Sequence, residues 1–251
     1  MKAINNTHRR LRRSVGQSIH THHMIEDGDR IVVGLSGGQD SMVLLWLLHE
    51  RLRWIPIDYR LHPVHVDPGF DGGCGEAVAD FCRGLGLVCR IEMTDFGLVA
   101  HSHENRENPC FLCSRRRRQR LFEVAEALDC TKIALGHHKD DFIETLFLNM
   151  CYAGKIDTMS PSEPFFNGRF EVIRPMAAVD KEAIARFAKR MGFPVLTNPC
   201  PSATRSRRGR IKTLLEALYA GNANISGNLF SAIQPLMSPA HPPGAASKRR
   251  P

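Results

Sequence analysis

The sequence contains no apolar run approaching the roughly 20 residues that a membrane-spanning helix needs. Its basic beginning, Met1 to Arg13, is not followed by the apolar core of a signal peptide. We also find no internal repeat. These absences argue against a membrane partner, and we expect a cytoplasmic protein.

Negative charge is in short supply, with 26 acidic residues against 34 basic ones and a net charge of +8. Such a balance favours an anionic partner, with nucleic acid the leading candidate and an anionic membrane surface the second. The eight cysteines follow no regular spacing and accompany no export signal. We therefore expect reduced thiols, some structural and some bound to metal, rather than a disulfide framework.

The order of apolar and polar segments predicts one α/β domain, built on a parallel sheet with helices on both faces. At 251 residues with 43% apolar content, the chain is long enough for one substantial domain of this kind. The predicted strands are Ile31 to Leu35, Tyr59 to Asp67, Leu87 to Met93, Lys132 to Leu135 and Phe170 to Ile173. The predicted helices are Asp40 to Arg53, Gly75 to Leu85, Cys113 or Ser114 to Leu128, one ending near Cys151, and Asp180 to Met191.

The two ends of the chain differ in composition from its middle. We divide it into a basic N-terminal extension (1–24), a main domain (25–220) and a C-terminal tail (221–251). The tail is rich in Gly, Ala, Ser and Pro, so we predict that it is loose and partly disordered. Between the third predicted strand and the next helix, residues 94–109 form a long polar excursion of the kind that is often functional.

A glycine loop follows the first apolar strand, which ends at Leu35. The segment reads Ser36-Gly37-Gly38-Gln39-Asp40-Ser41 and opens a helix. Adjacent glycines let the backbone approach a ligand, and the helix start offers free N–H groups and a positive dipole, a combination that favours phosphate. The serine hydroxyls can add donors, while Asp40 can cap the helix or approach a phosphate through Mg²⁺. The pattern is neither the Gly-Lys-Ser P-loop nor the dinucleotide fingerprint, and it resembles the pyrophosphate loop (PP-loop) of the ATP pyrophosphatases. A plain glycine turn that caps a helix is the simpler alternative.

A Cys-x-x-Cys pair, Cys110 and Cys113, lies at a predicted helix start, and Cys200 supplies a candidate third thiol. The pair can grip one metal ion or one cluster, so a redox pair, half of a zinc site and an iron–sulfur site all stay open at this point. The adjacent His137 and His138 are weaker zinc candidates, because neighbouring side chains point in different directions.

Several motifs together resemble the tRNA 2-thiocytidine synthetase family, and the likeness extends over about residues 25 to 235. They are the glycine loop, Pro-Cys-Phe-Leu-Cys-Ser-Arg (109–115), Thr-Lys-Ile-Ala-Leu-Gly-His-His-Lys-Asp-Asp (131–141), Glu-Thr-Leu-Phe-Leu-Asn-Met (144–150) and Val-Ile-Arg-Pro (172–175). The resemblance implies the adenine nucleotide α-hydrolase-like fold of PP-loop ATPases. It also implies an ATP-dependent tRNA sulfurtransferase that adenylates a cytidine carbonyl oxygen in the anticodon loop, releases pyrophosphate and AMP, and replaces that oxygen with sulfur.

The resemblance implies three cofactors and reactants for the chain: ATP, Mg²⁺ and a 4Fe-4S cluster. The cluster would be held by Cys110, Cys113 and Cys200, and its fourth iron, which lacks a protein ligand, can bind the sulfur to be transferred. The partners implied are tRNA and a sulfur donor such as a cysteine desulfurase persulfide. A homodimer is a candidate assembly.

Site residues follow from the same resemblance. We expect the nucleotide to be bound by residues of the glycine loop and by two further segments, at Leu35, Ser36, Gly37, Gly38, Gln39, Asp40, Ser41, His65 and Gly136. The expected catalytic residues are Asp40, Asp141 with Asp140 as its rival, and Arg117, four residues after Cys113. The simpler alternatives are an acidic helix cap for Asp141 and a solvated charged face for the arginine run 115–118.

Two positions depart from the family pattern. Gln39 stands where the family usually carries lysine, and Cys200 is followed by Pro201-Ser202-Ala203 instead of the usual x-x-Cys-Gly. Two other functions therefore stay open: a lysidine-synthetase-like ligase without a cluster, and a non-catalytic RNA-binding protein with a structural zinc site.

Overall fold

A computed structural model of the chain describes residues 6–197, 199–202, 206–222 and 224–237. The strands alternate along the chain with helices, as the sequence predicts. They are β1 (Asp29–Leu35), β2 (Tyr59–Asp67), β3 (Arg90–Met93), β4 (Lys132–Leu135), β5 (Ser162–Phe165) and β6 (Phe170–Ile173). They form one sheet in the order β3-β2-β1-β4-β6-β5.

The strand order places the candidate site. All pairings are parallel except that of β5 with β6. The chain runs outward from β1 through β2 to β3 and then returns to the other side of β1 as β4. A crevice opens where the strand order reverses in this way, at the carboxyl ends of the two central strands. The glycine loop and residues 136–141 follow those two ends.

Helices cover both faces of the sheet. They are α1 (Asn6–Thr21), α2 (Gln39–Arg51), α3 (Gly75–Gly84), α4 (Phe96–Ala100), α5 (Pro109–Ala127), α6 (Lys139–Ala153), α7 (Lys181–Met191), α8 (Arg207–Gly221) and α9 (Ile225–Ile233). Alternate residues of β1 serve the two faces: Ile31 and Val33 pack among α1, α2, α3 and α7, whereas Val32 packs against α5. Within the described residues, no helix is both long and apolar enough to cross a membrane.

The described residues nearest the two chain ends, in α1 and in 224–237, are better packed than the sequence predicts. In the N-terminal extension, α1 buries Leu11, Val15 and Ile19 in the core. The prediction of a loose tail is wrong for residues 224–237, because α9 and a following 3₁₀ turn (Gln234–Met237) pack with α6 and α8. The apolar side chains of this segment outweigh its Gly and Ser content. The rest of the predicted tail, 238–251, lies outside the described residues.

Helix α5 begins at Pro109, four or five residues before the predicted start at Cys113 or Ser114. Asn108 caps it, since its side chain accepts a hydrogen bond from the Phe111 backbone, and proline fits the first helical position because it has no N–H to satisfy. The excursion 94–109 also contains the short helix α4, and strand β5 was not predicted. The cysteine pair therefore lies within the first turns of α5.

We predict that Ile233→Ala lowers the free energy of unfolding by about 2–4 kcal/mol, because it empties a site that is 1% exposed in the cluster of α6, α8 and α9. Ser231→Ala on the exposed side of the same helix is the matched control and should change stability by less than about 0.5 kcal/mol. Urea unfolding followed by circular dichroism measures both. Equal stability of the two variants would show that α9 does not belong to the folded unit.

Candidate functional site

A cavity of about 310 Å³ lies in the crevice between β1 and β4. Its lining includes the glycine loop at Ser36, Asp40 and Ser41, and the loop after β4 at Gly136 and Asp141. Helix α5 closes the far wall with residues spaced so that they share one helical face: Ser114, Arg117, Arg118 and Leu121. Predicted nucleotide, catalytic and cysteine-bearing segments thus meet around one cavity.

The glycine loop is held in shape by its own two serines. The Ser36 backbone N–H donates to Ser41 Oγ at 3.2 Å, and Ser41 Oγ donates to the Gly38 carbonyl at 2.8 Å. Ser36 Oγ accepts from the Gly38 N–H at 3.2 Å. The hydroxyls therefore preorganise the turn that begins α2, where the free N–H groups of the first helical turn favour an anion.

Two glycines of the site have no room for a side chain. Gly37 has φ +82°, and a Cβ there would come within 2.4 Å of Cys74 Sγ. A Cβ on Gly136 would come within 3.0 Å of the Ser41 backbone nitrogen. The segments after β2 and β4 therefore pack directly against the loop after β1, and only glycine permits that close approach.

His65 lies beneath the loop and does not line the cavity. It is 1% exposed, and its Nδ1 lies 2.9 Å from the carbonyl oxygen of Leu35. Its Nε2 faces Cys74 Sγ at 3.9 Å and an Asp67 carboxylate oxygen at 3.9 Å. Burial lowers the pKa of His65. Val64 and Val66, on the opposite face of β2, line the cavity instead, so a nucleotide contact by His65 stays a prediction.

The acidic loop before α6 meets the glycine loop through charged groups. Asp141 caps α6, because its Oδ2 accepts a hydrogen bond from the His138 backbone at 2.9 Å. His138 Nε2 lies 3.3 Å from the same carboxylate and 3.8 Å from that of Asp40. Asp140 instead turns toward α7, where it accepts from the Lys181 backbone at 3.3 Å. Asp141 also lines the cavity, and its capping hydrogen bond uses only Oδ2, not Oδ1.

Arg208 of α8 reaches that second oxygen. Its guanidinium lies 3.5 Å from Asp141 Oδ1, 3.2 Å from Thr145 Oγ1 and 3.6 Å from Glu144 Oε2. Burial raises the pKa of Glu144 to about 7, and Arg208 opposes that rise. The C-terminal helices therefore contribute a cation to the acidic side of the site.

A buried arginine orients the histidine at the cavity floor. Arg174 is 2% exposed, donates to His137 Nδ1 at 3.3 Å and pairs with Glu163 at 2.9 Å. Burial, and next the charge of Arg174, lower the pKa of His137 well below its usual value. His137 is therefore neutral, and because Nδ1 accepts from an arginine, the proton sits on Nε2. Its position beside an arginine argues against a zinc ligand.

The three predicted cysteines lie near one another. Burial raises the pKa of the Cys113 thiol, Arg117 lowers it, and Cys200 and Cys110 raise it further. Burial, followed by Cys200, raises the pKa of Cys110. The loop that carries Cys200 is fastened to α4, since Ser202 Oγ lies 2.7 Å from His101 Nε2.

Arg117 joins the cysteines to the cavity. It lines the cavity, and its charge also acts on Cys113, His65 and Cys74. Its Nε is buried, and no described residue accepts a hydrogen bond from it. The arginine run is therefore divided: Arg117 and Arg118 face the cavity, while Arg115 faces Glu107.

The three neighbouring cysteines offer thiols as metal donors. Among the described residues, no three Cys, His, Asp or Glu side chains converge closely enough to hold one ion. Each cysteine of an iron–sulfur cluster can bind a different iron atom. Three neighbouring thiols from two separate segments are a donor set that fits such a cluster.

Several residues of the site were not singled out by sequence reasoning. They are Arg118, Arg174, Lys181, Glu144, Ser202 and Arg208. Arg118 was recoverable, because it shares a helical face with Arg117. Lys181 and Arg208 reach the site only through the long-range packing of α7 and α8, which no local sequence pattern predicts.

Comparison with known proteins agrees with this geometry. Residues 6–218 match a family model described as a PP-loop domain. The chain is 40% identical to a tRNA-cytidine(32) 2-sulfurtransferase of Pelobacter propionicus over 90% of this chain and 85% of that protein. A protein of the same name from Syntrophotalea carbinolica is also 40% identical, over 90% of this chain and 88% of its own length.

A solved structure shares the fold. It is the U34-tRNA thiolase NcsA from Methanococcus maripaludis, determined with its 4Fe-4S cluster. The TM-score is 0.75 at 22% identity, over 92% of this chain and 78% of that one. An NH3-dependent NAD synthetase from Campylobacter jejuni matches with a TM-score of 0.53 at 14% identity, over 94% of both chains. At these identities the likeness concerns the fold, which confirms the predicted α/β class.

We predict that Gly37→Ala destabilises the protein more than Gly28→Ala does. Both glycines have φ +82°, but a Cβ on Gly28 meets nothing within 4 Å, whereas one on Gly37 meets Cys74. Gly28→Ala should cost about 1–2 kcal/mol from the backbone conformation alone. Adding Cys74→Ala to Gly37→Ala should remove the steric part and leave that backbone part. Urea unfolding measures all three, and equal losses at the two glycines would refute the close packing of the loop.

We predict that Glu144→Gln changes the pH dependence of stability in Mg²⁺-free buffer. The folded-state pKa is about 7 against a reference value of 4.5, so between these pH values the unfolded state ionises while the folded state keeps the proton. Stability of the parent protein should therefore fall, by on the order of 2 kcal/mol, as pH rises through this window. The variant should lose this component. An unchanged slope in urea titrations at several pH values would contradict it.

Proposed function

The chain belongs to the PP-loop domain family and, within it, to the tRNA-cytidine 2-sulfurtransferases, and from this premise we propose that it thiolates cytidine 32 of tRNA. The enzyme is ATP-dependent. One observation carries the proposal beyond family membership: Arg117 lines the nucleotide cavity and acts on the Cys113 thiol at the same time. Activation and sulfur delivery therefore have adjoining sites.

The first step makes a leaving group. A pyrimidine carbonyl oxygen is a poor one, so the cytidine oxygen attacks the α-phosphorus of ATP, and the bond to the pyrophosphate breaks. The N–H groups at the start of α2, together with Ser36 and Ser41, bind the phosphates. Asp141 is the carboxylate that would hold Mg²⁺, which would offset the charge of the departing pyrophosphate, while both carboxylate oxygens of Asp40 contact Lys181 Nζ.

Arg117, Arg118 and His137 hold the reacting groups. The two arginines face the cavity and bring positive charge to the developing anion, while the Nε2–H of neutral His137 is an additional hydrogen-bond donor. Arg174 keeps that tautomer by occupying Nδ1. Leu35 and Gly136 contribute backbone at the cavity wall, where Gly136 lets the loop after β4 pack against α2.

The second step replaces oxygen by sulfur. Sulfur forms a bond to the activated ring carbon, and the bond from that carbon to oxygen breaks, so that AMP departs with the oxygen. Cys110, Cys113 and Cys200 would hold a 4Fe-4S cluster, which when bound supplies an iron atom that can carry the sulfur. Burial raises the pKa of the Cys113 thiol, and the Arg117 guanidinium opposes that rise in favour of the thiolate, which is the form that ligates iron. A cysteine desulfurase persulfide is the proposed donor, and a thiol reductant would supply the two electrons that cleave its S–S bond and bring the outer sulfur to the sulfide level, becoming a disulfide itself.

The basic surface supports the tRNA substrate. The net charge of +8 draws in a polyanion, but phosphate contacts position an RNA without reading its bases. We propose that the domain extends from α1 to the 3₁₀ turn that ends at Met237, since both ends pack on it. A homodimer stays a prediction, and light scattering of the purified protein measures it.

We predict that alanine at Cys110, Cys113 or Cys200 lowers the rate of tRNA thiolation at least about 100-fold. ATP-dependent release of pyrophosphate should survive, because the nucleotide is bound by the loop after β1. The assay uses anaerobically reconstituted protein, unmodified tRNA and a sulfide source. Thionucleoside is measured by mass spectrometry and pyrophosphate by a coupled assay.

Cys151→Ala is the matched control, since Cys151 is an exposed thiol on α6, outside the trio. It should retain both activities. A ligase without a cluster would keep its product in all four variants, and a zinc-containing RNA-binding protein would release no pyrophosphate in any of them. Either pattern would overturn the proposed function.

A further inference from the structure

The phosphate loop carries no cation of its own. Across residues 36–41 the only charged side chain is Asp40, which is negative. Gln39 is uncharged, so the loop brings no positive side chain to the phosphates. A carboxylate beside a triphosphate is repulsive, so a cation that faces Asp40 would favour ATP binding at this loop.

That group lies on a different helix. Lys181, the first residue of α7, places its Nζ 2.5 Å from both carboxylate oxygens of Asp40. Its backbone N–H donates to Asp140, which fixes the start of α7 against the acidic loop. The Lys181 side chain is 46% exposed, so its ammonium stands at the open mouth of the site.

We propose that Lys181 is the phosphate-binding cation of this loop, a role that rests on the proposed use of ATP. An ammonium has three N–H donors, of which the two contacts with Asp40 use two. The third can bind a phosphate oxygen, and the pair neutralises the carboxylate that would otherwise repel the nucleotide. The positive charge at the phosphate loop is therefore supplied by the neighbouring helix α7.

If the Lys181–Asp40 salt bridge were purely structural, its loss would have a different effect. An exposed ion pair between α2 and α7 stabilises a protein by at most about 1 kcal/mol. Its loss would lower stability slightly and leave nucleotide affinity unchanged. Nucleotide binding therefore separates the two roles.

The test measures dissociation constants by calorimetry for α,β-methylene-ATP, which resists cleavage, and for AMP. We expect Lys181→Ala to weaken binding of the ATP analogue at least about tenfold and to leave AMP within about twofold. Lys181→Arg, which keeps the charge, should stay within about threefold of the parent. The double variant Gln39→Lys/Lys181→Ala should recover most of the lost affinity, because it places a cation on the loop itself.

Lys189→Ala, on the exposed last turn of α7, is the matched control and should bind as the parent does. Circular dichroism confirms that each variant is folded. Unchanged affinity of Lys181→Ala, an equal loss for AMP, or no recovery in the double variant would overturn the inference alone. A parent protein that binds no ATP analogue would overturn it together with the proposed function.

Discussion

The close approach of three backbone segments at the carboxyl end of β1 is the constraint on which the site depends. Gly37 lets the phosphate loop touch Cys74 after β2, and Gly136 lets the segment after β4 touch Ser41 at the start of α2. A side chain at either glycine would separate those segments. The contact positions the acidic loop and the part of the cavity between β1 and β4, because α2 and α6 both begin there.

Charge is then arranged around that contact in three directions. Helix α7 brings Lys181 to the phosphate loop, α8 brings Arg208 to the acidic loop, and α5 brings Arg117 between the cavity and the cysteines. Each cation faces a group that either carries negative charge or would acquire it during reaction. A nucleotide-activating site and a thiol site can therefore adjoin without the acidic residues of one repelling the thiolates of the other.

Local patterns predicted much of this arrangement. Tyr59 to Asp67 and Lys132 to Leu135 have the predicted bounds as strands. The glycine loop joins β1 to α2, and Cys110 and Cys113 lie at the start of α5. The prediction of a loose tail was wrong for residues 224–237, because Phe230, Ile233 and Met237 pack against α6 and α8, which composition does not show. Lys181 and Arg208 were missed for the same reason, since only the packing of distant helices brings them to the site. The assigned roles of individual site residues stay predictions.

The most direct test of the central claim is mass spectrometry of tRNA nucleosides from cells with and without the gene. We predict that 2-thiocytidine is present in the parent cells, absent when the gene is deleted and restored by the intact gene but not by a Cys113→Ala copy. Other thionucleosides should be unaffected. An unchanged 2-thiocytidine level in the deletion strain would contradict the account.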